Sequence, residues 1–167
     1  MRESEVGDPG RVGPYEVLGR LGEGGMGVVY LARTAAGRAV AVKTIRAELA
    51  AQPEFRERFR AEVAAARRVG GFHTAQVVDA DPDGSPPWLA TAYVAGGSLR
   101  EAAPLAADRL HSLAAGLAEA LAAIHAAGVV HRDLKPSNVW PSAPPTAPST
   151  CSIRSPAPSW PPSPGTG

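Results

Sequence analysis

Lysine is almost missing from this 167-residue chain. Of its 17 Lys and Arg residues only two, Lys43 and Lys135, are lysine. Asparagine occurs once, at Asn138, and cysteine once, at Cys151. A lone cysteine excludes an internal disulfide and fits a reducing compartment, so a cytoplasmic location is expected. Long apolar runs are absent as well. The most apolar stretch, Leu113 to Val130, is alanine-rich and broken by Glu119 and His125, so no membrane segment is expected in this chain. The first ten residues are polar and acidic with no apolar centre, so no signal peptide is expected. A net charge of +1 gives no bulk attraction to nucleic acid, and no such partner is expected.

The scarce residues are informative because a chain that uses arginine for generic charge keeps lysine where a compact ammonium differs from a guanidinium fork. The alternative is a pair of ordinary surface residues. Lys135 and Asn138 fall in one short stretch, His131-Arg132-Asp133-Leu134-Lys135-Pro136-Ser137-Asn138. It gathers a potential base, a fixed charge and an amide oxygen suited to a hard cation.

Upstream, Tyr15 to Leu21 alternates loosely and reads as a strand. Gly22-Glu23-Gly24-Gly25-Met26-Gly27 then carries the G-x-G-x-x-G spacing. That spacing alone is weak, since it also opens dinucleotide-binding folds and occurs in flexible hairpin tips. The next four residues discriminate. A dinucleotide fold needs a helix there, whereas Val28-Val29-Tyr30-Leu31 is β-branched and aromatic and reads as a second strand. Glycines between two antiparallel strands let backbone N–H groups approach phosphate oxygens closely. Arg38 to Lys43 alternates as a third strand, with Ala39, Ala41 and Lys43 on one face and Val40 and Val42 on the other. Small Ala41 leaves room for a flat ring beside the ammonium.

Pro53 to Val69 reads as a helix, opened by proline and ended by Gly70-Gly71. Phe55, Phe59, Val63, Ala66 and Val69 form its apolar stripe. Glu62 borders that stripe, and a carboxylate at a buried edge needs a partner. A salt bridge to a nearby arginine is the plain alternative. Val77-Val78 and Trp88 to Val94 read as further strands. Ser98-Leu99-Arg100-Glu101 has the capping-box pattern of a short helix. Leu110, Leu113, Leu117, Leu121 and Ile124 stripe a longer helix over Asp108 to Gly128.

The stretch from His131 to Asn138 resembles, at all eight positions, the catalytic loop of eukaryotic-type serine/threonine protein kinases found in bacteria. The glycine pattern, the Val40-Ala41-Val42-Lys43 strand and Glu62 resemble the same family's upstream motifs. The resemblance implies an α+β fold. Its parts would be a small lobe of antiparallel sheet plus one helix over 12–95 and an incomplete helical large lobe over 96–139. Residues 1–11 would be flexible and 140–167 a disordered Pro/Ser-rich tail. It implies transfer of a phosphoryl group from Mg-ATP to a Ser or Thr hydroxyl of a protein substrate, with ATP and Mg²⁺ bound. Asp133 would accept the substrate hydroxyl's hydrogen bond, and Lys135 would meet the γ-phosphate. Asn138 would hold Mg²⁺, and Arg132 would neutralise a phosphate on an activation segment. Lys43, paired with Glu62, would bind the α- and β-phosphates beneath Gly22, Gly24 and Gly27. Leu21 would be among the ATP-binding residues, Val29 and Ala41 would line the adenine pocket, Thr91 would set its depth, and the backbone of Ala92 and Val94 would pair with the base. Small-molecule phosphotransferases share a lysine and a catalytic aspartate, but Lys135-Pro136 and the glycine-rich loop disfavour them.

The resemblance stops after Val139. The 167 residues contain neither Asp-Phe-Gly nor Ala-Pro-Glu. From Trp140 onward there is no acidic residue, one basic residue (Arg154) and about one-third proline. Without large-lobe helices to pack on, each exposed large aliphatic of the 108–128 helix would forfeit about 1.5–3 kcal/mol of burial. The expected origin of the tail is a reading-frame shift in a kinase gene, with a natural linker as the alternative. A catalytically dead nucleotide-binding or interaction fragment therefore stands beside the active kinase.

Overall fold

The computed structural model describes residues 7–70, 74–102, 104–142 and 150–153, with side chains through Pro141. The chain divides into two compact units. One comprises residues to 68 together with 75–95; the other comprises 69–74 and 96 onward.

The first unit is built on a six-stranded antiparallel sheet. Its strands are β1 (Arg11–Val12), β2 (Tyr15–Gly24), β3 (Gly27–Arg33), β4 (Ala39–Ile45), β5 (Val77–Asp81) and β6 (Trp88–Ala92). Their spatial order is β1-β2-β3-β4-β6-β5. Period-two alternation does the sorting. Val40 and Val42, both fully buried, join Tyr15, Tyr30, Ala32, Trp88 and Ala90 in one core. Trp88 meets Tyr15 edge-on, with ring centroids 5.5 Å apart. The face carrying Lys43 is covered instead by helix α2 (Pro53–Arg68), whose Phe55, Phe59 and Val63 pack on Ile45 and Leu89. A four-residue helix α1 (Ala47–Ala50) precedes it and contributes Ala50 to the same core. The Pro53 start of α2 matches the sequence expectation. Gly71, expected to help end it, lies outside the described residues.

The N-terminal end of this unit differs from expectation. Of residues 1–11, expected to be flexible, Arg11 belongs to β1, which pairs Arg11↔Glu16 and Val12↔Tyr15. Just before it, the Asp8 side chain is only 2% exposed and salt-bridged to Arg20. A buried carboxylate with a guanidinium partner fixes a segment that composition alone reads as loose.

The second unit contains helix α3 (Ala107–Ala126), a 3-10 turn (Pro136–Asn138) and an antiparallel pair of strands, β7 (Val139–Ser142) and β8 (Thr150–Ile153). Helix α3 ends as its sequence dictates. Gly128 takes φ +73°, its N–H reaches the His125 carbonyl, and the Val129 N–H reaches that of Ile124. The stripe is displaced, however. Leu113, Gly116, Ala120 and Ile124 are buried, whereas Leu110 is 55% exposed. Leu113 and Val139 form a small core with Leu99, Leu105 and Leu117.

The short helix expected at Ser98–Glu101 is a turn. Its box chemistry forms nonetheless, since the Glu101 carboxylate accepts from both the N–H and the hydroxyl of Ser98. Growth beyond one turn is blocked by Pro104, which has no N–H to donate. The tail expected to be disordered is described over two short stretches. Its residues 140–142 and 150–153 pair as β7 and β8, with Trp140 opposite Ser152. Residues 143–149 and 154–167 lie outside the described residues.

Candidate functional site

In the first unit, cross-strand register brings the predicted nucleotide residues to one sheet face. Val29 pairs directly with Lys43, and Lys43 with Leu89. Ala41 pairs with Thr91 one step along. Directly opposed residues share a face, so Val29, Ala41, Lys43 and Thr91 surround one strip of sheet. Leu21 sits at an irregularity in β2, between the Arg20↔Tyr30 and Gly22↔Val29 pairs. Val94 lies two residues beyond the end of β6, and the Ala92 N–H is spent on the Gln76 carbonyl.

Lys43 Nζ lies 3.9 Å from Glu62 Oε1, and the Glu62 side chain is 10% exposed. Burial on the sheet raises the Glu62 carboxyl above its ordinary value of 4.5, and the Lys43 charge offsets part of that rise. At 3.9 Å the contact is an electrostatic pairing, longer than a good hydrogen bond. The helix thus presents its acid to the lysine.

The glycines divide by role. A side chain at Gly27 would run into the backbone carbonyl of Thr44, so this glycine is required by the close passage of β3 over β4. Gly22 and Gly24 meet nothing within 4 Å. No internal contact requires glycine at either position, and space is left above the backbone there.

In the second unit, the loop from His131 to Asn138 draws three predicted residues together. Lys135 Nζ lies 2.9 Å from Asp133 Oδ2. Asn138 Nδ2 donates to the Asp133 carbonyl at 2.9 Å and to its Oδ2 at 3.1 Å. Both partners are acceptors, which fixes the amide orientation and leaves Asn138 Oδ1 for another ligand. Arg132 adopts φ +57°, a conformation a non-glycine residue rarely takes, and the Asp133 N–H closes back on the His131 carbonyl at 2.7 Å. His131, 2% exposed, is the buried side of this loop. Backbone strain of this kind is retained where surrounding contacts over-determine it, often at functional loops.

The sequence matches the protein kinase domain family over residues 15–143. The chain belongs to the protein kinase family. Among curated relatives, it is 63% identical to the probable serine/threonine-protein kinase PkwA of Thermomonospora curvata, covering 81% of this chain and 19% of that protein. It is 64% identical to the serine/threonine-protein kinase AfsK of Streptomyces coelicolor, covering 79% of this chain and 17% of that one. The matched part thus spans less than a fifth of the length of either relative. Among solved structures, it superposes on the Mycobacterium tuberculosis PknI kinase domain with a TM-score of 0.66 and 30% identity. That match covers 86% of this chain and 59% of the PknI chain.

Sequence reasoning missed the charged groups that flank the glycine-rich turn. Glu23 is held by Arg20 and Arg46, and the Arg46 N–H donates to the Met26 carbonyl. No sequence signal marks them, because exposed charges at these spacings are unremarkable. A cavity of about 560 Å³ lined in part by Pro9, Tyr30, Thr44 and Arg56 contains none of the predicted site residues. Among the described residues no three His, Cys, Asp or Glu side chains cluster as a metal site, and no helix is long and apolar enough to cross a membrane.

Proposed function

We propose that this chain is the nucleotide-binding and catalytic-loop portion of a serine/threonine protein kinase, acting on Mg-ATP and a protein hydroxyl. The observation that carries the reading is the Asp133 carboxylate, gripped by Lys135 and Asn138 within a single loop. Phosphoryl transfer asks the protein for positioning and charge stabilisation more than for covalent chemistry. Asp133 would orient the attacking hydroxyl and accept its hydrogen bond. Lys135 carries a mobile ammonium suited to the γ-phosphate, and the free Oδ1 of Asn138 suits Mg²⁺.

The residues of the first unit fit a nucleotide. A Cβ at Gly22 or Gly24 would meet open space, so the backbone there leaves room for a phosphate to approach. Lys43, steadied by Glu62, would neutralise the α- and β-phosphates. Leu21, Val29 and Ala41 would sandwich the adenine, with Thr91 at its depth. Because the Ala92 N–H is already engaged, the N–H donor to the base falls to Val94. Bound Mg-ATP supplies the transferable phosphoryl group, and these side chains supply its orientation.

The second reading is a kinase-derived fragment that binds nucleotide without transferring phosphate. The exposure of Leu110 (55%), Val130 (61%) and Leu134 (44%) favours it, since a complete kinase core would have apolar surface to set against them. Incubating the purified chain with labelled ATP, Mg²⁺ and a generic protein substrate separates the two. Transfer lost in Asp133→Asn supports the enzyme. Saturable nucleotide binding without transfer supports the fragment.

A further inference from the structure

The glycine-rich turn is clamped by a continuous chain of charges that begins outside it. Asp8, its side chain 2% exposed, accepts from Arg20 Nε at 2.7 Å and from the Tyr30 hydroxyl at 3.2 Å, and its Oδ1 lies 2.7 Å from Arg20 Nη2. The remaining nitrogen of that guanidinium, Nη1, donates to Glu23 Oε2 at 3.1 Å. The other Glu23 oxygen, Oε1, accepts from Arg46 Nη2 at 2.6 Å. Both carboxylate oxygens of Glu23 are thus occupied, one from β2 and one from the residue that follows β4. The Arg46 backbone N–H also holds the Met26 carbonyl at 3.1 Å.

Glu23 stands between Gly22 and Gly24. Glycines lose more backbone freedom on ordering than any other residue, so a phosphate-binding turn made of them needs an external constraint to be preorganised. Holding both oxygens of the Glu23 carboxylate restrains its side chain, and through it the backbone between the two glycines. We propose that Asp8, Arg20, Glu23 and Arg46 act as one tether that sets the glycine-rich turn for phosphate binding, making the segment before β1 part of the nucleotide site. These are positioning residues, and their role rests on the first unit binding a nucleotide. An ordinary exposed ion pair would leave affinity untouched. Glu23 and Arg46 are nearly half exposed, so neither is needed for the core.

The test is titration of the full chain with Mg-ATP for Glu23→Gln, Arg46→Gln, their double variant and Asp8→Asn. Arg33→Gln, which breaks the equally exposed Glu16–Arg33 pair at the far end of the β2–β3 ladder, is the control. Each single tether variant is expected to weaken binding about fivefold, the scale of one well-made surface pair. The double variant loses no more than the weaker single, and Arg33→Gln is unchanged. In the nucleotide-free chain, amide exchange at residues 22–26 accelerates in the tether variants alone. Unchanged affinity in Glu23→Gln and Arg46→Gln, or additive losses in the double variant, overturns the tether while leaving the nucleotide reading intact. Absence of any nucleotide binding by the unaltered chain overturns both. Should Asp8→Asn unfold, the two exposed substitutions still decide the question.

Discussion

Glu62 is the residue whose energetics are most exposed to measurement. Its carboxylate is buried against the sheet, and its ammonium partner stands 3.9 Å away. Burial raises its pKa, and a group raised in the fold contributes stability that is fully present below its ordinary value of 4.5. That contribution is lost as pH rises through the raised value. Glu62→Gln keeps the shape and removes the titration. The unaltered chain should therefore lose stability relative to Glu62→Gln as pH rises above 4.5, read as the difference in melting temperature across a pH series. Nucleotide affinity should move the opposite way, because the glutamine no longer steadies Lys43. A Glu62→Gln chain that matches the original in both readouts would show that the pairing has no role.

Among the elements, the β2–β3 turn separates two kinds of glycine. Gly27→Ala forces a methyl group against the Thr44 carbonyl, and destabilisation of about 1–3 kcal/mol is expected by denaturant titration. Gly24→Ala meets open space, so stability should change little while Mg-ATP affinity falls. Helix α2 is held chiefly by its aromatic stripe. Phe59, 2% exposed, should cost about 3–5 kcal/mol when truncated to alanine. This stripe was legible in the sequence because its 3.6-residue period is long and strong. So were β2 to β4, through period-two alternation around Tyr15, Val40 and Val42. The turn at Ser98–Glu101 was not, because a capping box reports a helix start and says nothing about a proline three residues beyond it. The anchoring of Asp8 was also hidden, since its partner Arg20 lies on another element and no local pattern joins them.

Across the molecule, the two units differ in how much apolar surface they bury. The first has two buried cores on opposite sides of its sheet. The second, among the described residues, has the small core around Leu113 and Val139 and leaves Leu110, Val130 and Leu134 exposed. Local stability follows such burial. Amides of α3 (Ala107–Ala126) should therefore exchange with solvent well before those of β4 (Ala39–Ile45), by mass-resolved hydrogen exchange. Equal protection of the two elements would contradict this ordering. Asp133, Lys135 and Asn138 were legible as a cluster, since they are close in sequence. The convergence of Val29, Ala41, Lys43 and Thr91 on one strip required the strand register, which alternation suggests but does not fix.

The central claim is that the scarce lysine of β4 serves a nucleotide's phosphates. Calorimetric titration of the intact chain and of Lys43→Met with Mg-ATP tests it most directly. Saturable binding by the intact chain, weakened at least about tenfold in Lys43→Met, is the result this account predicts. Equal binding by both, or none by the intact chain, would contradict it.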